Sequence, residues 1–342
     1  MKRPSRRWSG YLAALLVAGL LVYAVVVASG GMSDAVHQLR HASRIWLVPA
    51  VLLEAVGYAI AGSLLLQLRG DDASLGWVTA ARVALVMWGL GSLMPVAPAE
   101  GIALSVSELE RRGVGRQPAV TMLLVAGWFQ FWALVLTAAA ASAVVRIGHP
   151  EPDDATRLIV IAAVLTGVTL IVVSLARRPV AGKLAAEALR WLPRHRRKTR
   201  AELRAAGLDE HARLIELLGR PVHRVGIVLA ATGWWLADAG ALWVALYAAH
   251  AHVDFGIVVL AYVAGTVASW VPLLPGGLGA VEIAVPAVLH HFGVPLTVAL
   301  TGTLLWRGVS LFLPAMGGAL AYASLRAQPV SDPDLRRPRH SA

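Results

Sequence analysis

Long apolar runs separated by short polar stretches occupy most of the chain. The runs fall at 9–29, 45–67, 76–95, 119–145, 158–176, 225–248, 256–274 and 296–324. Each is close to or above the ~20 residues a helix needs to cross a bilayer. Two shorter amphiphilic segments, 98–111 and 277–291, follow the runs at 76–95 and 256–274. Between run and segment the helical pattern is interrupted by Pro95-Val-Ala-Pro98-Ala99-Glu100-Gly101 in one place. In the other it is interrupted by Pro272-Leu-Leu-Pro275-Gly276-Gly277-Leu278-Gly279. Proline lacks the donor N–H and glycine loses backbone entropy, so neither stretch continues a helix. Broken backbone at membrane depth is tolerated only where it packs in protein or lines a cavity. The pattern predicts an all-α polytopic membrane protein with about six full spans and two broken helical hairpins, 76–111 and 256–291.

Basic residues set the expected orientation. The loop 177–224 carries 13 Lys or Arg against five acids, Glu187, Glu202, Asp209, Glu210 and Glu216. The positive-inside rule places it in the cytoplasm. The N-terminal Lys2, Arg3, Arg6 and Arg7 and the tail with Arg326, Arg336, Arg337 and Arg339 belong on the same side. So do Arg111, Arg112 and Arg116, whereas Glu151, Asp153 and Asp154 mark an external loop. The crossings close only if each hairpin leaves and re-enters on one side, whether it is re-entrant or crosses twice. The first then opens from the cytoplasm and the second from outside. Gly113-Val114 precedes Ala119 by six residues, and Gly293-Val294 precedes Ala299 by six. Residues 9–145 and 158–324 thus read as an inverted repeat, an arrangement that puts binding sites near the midplane, at broken helices.

Composition narrows the class. The chain is 57% hydrophobic and 15% charged, with mean hydropathy +0.65, which excludes a soluble domain. The net charge of +11 fits basic loops facing anionic headgroups, so nucleic acid is not an expected partner. The absence of cysteine excludes disulfides, thiolate metal sites and a cysteine nucleophile. The N-terminal basic cluster before Tyr11–Ala28 invites reading as a signal peptide, and Ser5-Arg6-Arg7 as a twin-arginine signal. The apolar run is longer than a signal core and no Ala-x-Ala site follows, so an uncleaved first span is expected. Residues 1–325 are expected to form one transmembrane domain and 326–342 a basic disordered tail. Leu203, Leu214, Ile215, Leu217 and Leu218 within the basic loop fit either an interfacial helix or a solvated linker. Trp8, Trp46 and Trp77 lie at span ends, where an aromatic belt belongs.

Six ionisable residues lie inside apolar segments: Glu54, Arg82, Glu100, Asp238, Glu282 and Arg307. Each costs about 2.5–3.5 kcal/mol at a helix centre, so lipid exposure is not expected. Glu282 follows the glycine break and fits a carboxylate that pairs with a lipid amine, a proton or Arg307. A purely structural salt bridge is its alternative. Arg307 fits a lipid phosphate or serves only as the partner of Glu282. Glu100 is the matching acid of the first hairpin. Arg82 sits near headgroup depth, where snorkelling competes with substrate contact. Glu54 and Asp238 suit a proton relay, because burial disfavours a charged carboxylate, and equally suit interhelical pairing. Pro275, Gly276, Gly277 and Gly279 allow backbone N–H groups to face an anion at a helix start near Leu278. A tight membrane turn requires the same glycines.

No metal or cofactor is expected. His37 and His41, His250 and His252, and His290 and His291 lack the further ligands a zinc site needs. Nucleotide and serine-hydrolase motifs are also missing from the sequence, so transport would be passive or driven by an ion gradient.

Pro275-Gly276-Gly277-Leu278-Gly279 with Glu282, then Gly293-Val294, Leu304-Leu305-Trp306-Arg307, Pro314 and Gly317 resemble the C-terminal signature of the flippase-like family. That family comprises the membrane part of lysylphosphatidylglycerol synthases and stand-alone relatives. Pro98-Ala99-Glu100 with Arg112-Gly113-Val114 is similar to its N-terminal signature. The likeness covers about residues 10–325. The stretch Ala126-Gly127-Trp128-Phe129-Gln130 lacks the Glu-Arg and Asp often found there in the family. The residues after the last span do not resemble an aminoacyl-transferase, so lipid aminoacylation is not expected of this chain. The resemblance implies movement of an anionic, aminoacylated or polyprenyl-linked lipid between leaflets of the plasma (inner) membrane. Two other readings stand beside it: the membrane part of a lipid-modifying enzyme acting with a separate transferase, and a non-transporting scaffold. A separate transferase or a second copy of the chain is the expected protein partner.

Overall fold

The computed structural model describes residues 44–69, 75–93, 97–148, 221–270 and 275–327. All their regular structure is helical. The spans expected at 9–29 and 158–176, the basic loop up to residue 220, Pro95, Pro272, His37, His41 and the tail beyond 327 lie outside the described residues.

A 3₁₀ turn, Arg44–Trp46, leads into α1, Leu47–Leu68. Helix α2, Trp77–Leu90, ends in a π-helical stretch, Leu85–Leu90. Then come α3, Ala97–Glu110, and α4, Arg116–Gly148. After the undescribed segment come α5, Pro221–Ala248, and α6, Phe255–Ser269. A 3₁₀ turn, Pro275–Gly277, precedes α7, Ala280–His291. The last helix, α8, Leu296–Ala327, carries a π-helical stretch at Gly308–Phe312.

Among the described residues α1, α4, α5 and α8 are long and apolar enough to cross a membrane. This is an integral membrane protein. Helices α3, α6 and α7 have 14, 15 and 12 residues. At 1.5 Å per residue they reach about 18–23 Å, short of the ~30 Å hydrocarbon core. Two helix ends differ from expectation. Helix α5 starts at Pro221, a residue suited to a first helical turn, so Arg224 leaves the basic loop. Helix α8 runs to Ala327, so Arg326 belongs to a helix and not to the tail.

Apolar side chains sort into two clusters. One gathers the C-terminal part of α5 with α6, α7 and the first half of α8. The other gathers α2, α3 and the beginnings of α4 and α5 with the C-terminal end of α8. Trp235 touches both. Helix α1 packs along α5, α2 along α1, and α6 along α5. The helices α2 and α3 pack together, as do α6 and α7. The hairpin of α2 and α3 lies against α4 and the end of α8, and that of α6 and α7 against α8 and α4. Exchanging α1 with α5, α2 with α6, α3 with α7 and α4 with α8 turns each of these contacts into another that is present.

Candidate functional site

The second hairpin breaks on three glycines with left-handed backbone: Gly276, Gly277 and Gly279 have φ of 69°, 66° and 86°. Any other residue is strained there. Gly277 is further constrained, since a Cβ on it would lie 2.5 Å from the Ser269 Cβ at the end of α6. The turn therefore folds tightly back on the helix that precedes it. Helix α7 begins at Ala280, two residues later than Leu278, because Gly279 occupies its N-cap. The Gly279 N–H donates to Glu282 Oε2 at 2.7 Å, which is the return half of a capping box.

The other oxygen of Glu282 accepts from Arg307 Nε at 3.0 Å. Both side chains are buried, at 6% and 7% exposure. Arg307 also donates, through Nη2, to the Gly276 carbonyl. One guanidinium thus ties α8 to both sides of the break. The anion facing the start of α7 is the protein's own Glu282 carboxylate. Pro286, four residues on, lacks the N–H that would bond to the Glu282 carbonyl along the helix. Arg307 is the last residue before the π-helical stretch of α8, a distortion frequent at functional sites.

A second polar group adjoins the first. Asp238 of α5 accepts from Tyr262 Oη of α6 at 2.9 Å and from Trp306 Nε1 of α8 at 2.7 Å. Glu54 of α1, buried at 4% exposure, lies beside Asp238, and its Oε2 has no hydrogen-bond partner. Because Trp306 precedes Arg307, α8 carries contacts to both groups on consecutive residues. The chain of contacts runs from Glu54 through Asp238, Trp306 and Arg307 to Glu282 and the glycine break.

The family profile described as Lysylphosphatidylglycerol synthase TM region matches residues 11–318. The chain belongs to this family. No curated protein matches it. The matched residues include both hairpins and every member of the two polar groups. For this lysylphosphatidylglycerol synthase TM region protein a membrane location and a membrane-lipid-related role follow.

Of the residues singled out in the sequence, the structure joins Gly276, Gly279, Glu282 and Arg307 in one group and Glu54 with Asp238 in the other. Arg82, half-buried on α2, and Glu100, half-buried in the first turn of α3, belong to the first hairpin. The structure joins neither to the Arg307–Glu282 ion pair. For Pro275 only the backbone enters, as the first residue of the 3₁₀ turn.

Two residues escaped the sequence reading. Glu108 near the end of α3 has a side chain with 0% exposure and ion pairs to three arginines. Arg326 Nε lies 2.5 Å away, Arg112 Nη1 3.3 Å and Arg111 Nη1 3.6 Å. It sits beside Arg111 and Arg112 in the sequence, where an acid reads as an ordinary surface partner, and Arg326 comes from 218 positions away. Gln130 in α4 is 3% exposed, and its side-chain Oε1 and Nε2 are both without hydrogen bonds. Its signal was visible as the uncharged position in a stretch where the family often carries charge.

Proposed function

We propose that the protein moves the headgroup of a membrane lipid between leaflets by making and breaking the contacts of the second hairpin, without covalent chemistry. The observation that carries this reading is the buried Arg307–Glu282 ion pair. It joins a broken hairpin to a long helix inside an apolar bundle. Removing one partner of such a pair leaves an uncompensated buried charge, a cost of about 3–5 kcal/mol. A headgroup that replaces both partners at once avoids that cost. An aminoacylated phospholipid carries a phosphate for Arg307, through charge-assisted bonds, and an ammonium for Glu282. Anionic and polyprenyl-phosphate lipids supply only the first contact, so the pair favours the aminoacylated headgroup.

The exchangeable contacts of α1–α4 with α5–α8 support an inverted repeat with Pro98–Gly101 as the counterpart of Pro275–Gly279. The short hairpin helices support re-entrant hairpins. Under this reading Glu100 and Arg82 line the cytoplasmic entrance and Glu282 and Arg307 the external one. The loop 177–220 and both termini face the cytoplasm, in the inner membrane.

The test is leaflet exchange in liposomes holding the purified full chain, with lysylphosphatidylglycerol, phosphatidylglycerol and a polyprenyl phosphate as cargo. Exchange above protein-free liposomes, fastest for the aminoacylated lipid, is expected. No exchange by folded protein overturns the reading. Exchange that survives unchanged in Glu282→Gln and Arg307→Ala overturns the site.

The family description, which couples this region to a synthase, favours a second reading: the membrane half of a lipid-modifying system whose transferase is a separate chain. Aminoacyl-lipid formed only when both proteins share the membrane would support it.

A further inference from the structure

Gln130 stands near the middle of α4, on the face that the bundle buries. On that face Leu123 and Ala126 belong to the apolar cluster around the first hairpin, and Leu134 and Ala141 to the cluster around the second. Residues three or four apart share one side of a helix, so Gln130 lies where the two clusters meet. Its surroundings agree. The Gln130 carbonyl accepts from Trp235 Nε1 at 2.7 Å, and Trp235 touches both clusters. The next residue, Phe131, has its ring 5.7 Å from that of Trp270, which closes α6 shortly before the glycine break. Helix α4 also packs against α3 of the first hairpin and α6 of the second. Gln130 is thus a polar side chain between the two hairpins, at the depth where the second one breaks.

The residue is 3% exposed, and its side-chain Oε1 and Nε2 are both buried without a hydrogen-bond partner. Nearly all buried polar groups have one, and the hydrocarbon core holds no bulk water to supply it. Among the described residues with buried unpaired side-chain atoms, Gln130 alone combines a free donor and a free acceptor. A phosphate diester only accepts hydrogen bonds and an ammonium only donates them. Arg307 and Glu282 already answer those two needs. The complement of a free amide is a group that does both, and in a lipid headgroup that group is a hydroxyl. We propose that Gln130 is a specificity-determining residue that binds a headgroup hydroxyl, so that glycerol-bearing phospholipids are taken in preference to those whose phosphate carries no hydroxyl. The amide is enclosed in this arrangement, so the hydroxyl reaches it when a hairpin parts from α4. The unpaired amide stands on the geometry; the passage of a headgroup beside it rests on the transport reading.

Gln130→Leu keeps the side-chain size and removes the amide. Replacing a buried polar group that has no partner by an apolar one of like shape does not destabilise a fold. The purified full chain in lipid-free detergent is therefore expected to melt at the same temperature or higher in Gln130→Leu than in wild type. A clearly lower melting temperature shows an amide already used by the fold and overturns the proposal. The ligand is read by native mass spectrometry with two anionic probes of equal charge, phosphatidylglycerol and phosphatidylpropanol, which differ only in the two headgroup hydroxyls. A site built to bond a hydroxyl rejects the analogue lacking it, so wild type should retain phosphatidylglycerol about tenfold more strongly or better, and Gln130→Leu should retain the two alike. Equal retention by wild type, as when the amide takes only a water, or a preference that survives in Gln130→Leu, overturns the contact. Soluble glycerol phosphate that displaces phosphatidylglycerol at equal concentration would overturn the lipid as its source. None of these readouts requires transport. Selective retention with no leaflet exchange sinks the transport reading and leaves the Gln130 contact standing, while exchange without selective retention does the reverse.

Discussion

Arg307 spends its donors within the protein: Nε on Glu282 and Nη2 on the Gly276 carbonyl. Substituting either member of the ion pair alone strands a charge, whereas replacing both by apolar residues of similar volume is often close to neutral. Glu282→Leu and Arg307→Met are each expected to lose about 3–5 kcal/mol. The double variant should lose less than either, as judged by thermal unfolding in detergent. Additive losses would show that the two side chains act separately. Glu108 makes a parallel case at the other hairpin. Its carboxylate gathers Arg111, Arg112 and Arg326, and Arg112 also donates to the Leu325 carbonyl at 3.2 Å. In Glu108→Ala three guanidiniums lose their shared anion and repel. Deuterium uptake over 320–327 should accelerate, with little change over 276–291, and unchanged uptake at 320–327 would refute the hub.

At the scale of elements, the π-helical stretch of α2 packs against the part of α8 that follows its own π-helical stretch. Gly318 of α8 sits so near the Leu85–Leu90 turn that a Cβ would come within 2.5 Å of the Leu85 carbonyl and 2.7 Å of the Leu90 nitrogen. Close approach of this kind holds membrane helices together where lipid supplies no hydrophobic drive. Gly318→Val must push the helices apart, at a cost of about 1–3 kcal/mol. Gly317→Val, whose Cβ would meet only a Leu85 methyl at 3.7 Å, should cost clearly less. A lower melting temperature for the first variant than for the second checks the contact, and equal values would remove it. The two hairpins also end differently. The second is closed by an ion pair at its glycine break, while the charge hub of the first lies at the far end of α3, near Glu108.

For the whole molecule, the orientation can be read with few assumptions because the chain has no cysteine. Gly115→Cys lies in the turn between α3 and α4, and His252→Cys in the loop between α5 and α6. Both positions are exposed. In sealed inside-out vesicles an impermeant maleimide should label the first and spare the second, and in spheroplasts the reverse. Labelling of both from one side would overturn the orientation derived from the basic loops. The two apolar clusters, one around each hairpin, meet at Trp235. Asp238, three residues beyond Trp235 on α5, joins that helix to α6 and α8 beside the meeting point.

Hydropathy period, the two Pro–Gly interruptions and the distribution of arginine were enough to establish an integral helical membrane protein with broken hairpins, and the residue pattern around Gly276–Gly279 was enough to indicate its family. These properties depend on composition and spacing within single segments, which every helix carries in its own residues. Glu54, Asp238, Glu282 and Arg307 could each be marked as costly in an apolar segment, since that cost is also local. Which of them meet was decided by tertiary structure alone. Glu54 and Asp238 are 184 positions apart, and whether a carboxyl finds an arginine or another carboxyl depends on the rotation and crossing of whole helices. Glu108 shows the converse. Its sequence neighbourhood is that of a solvated surface acid, and only the return of α8 over α3, bringing Arg326 onto it, makes it one of the most deeply buried charges in the described bundle.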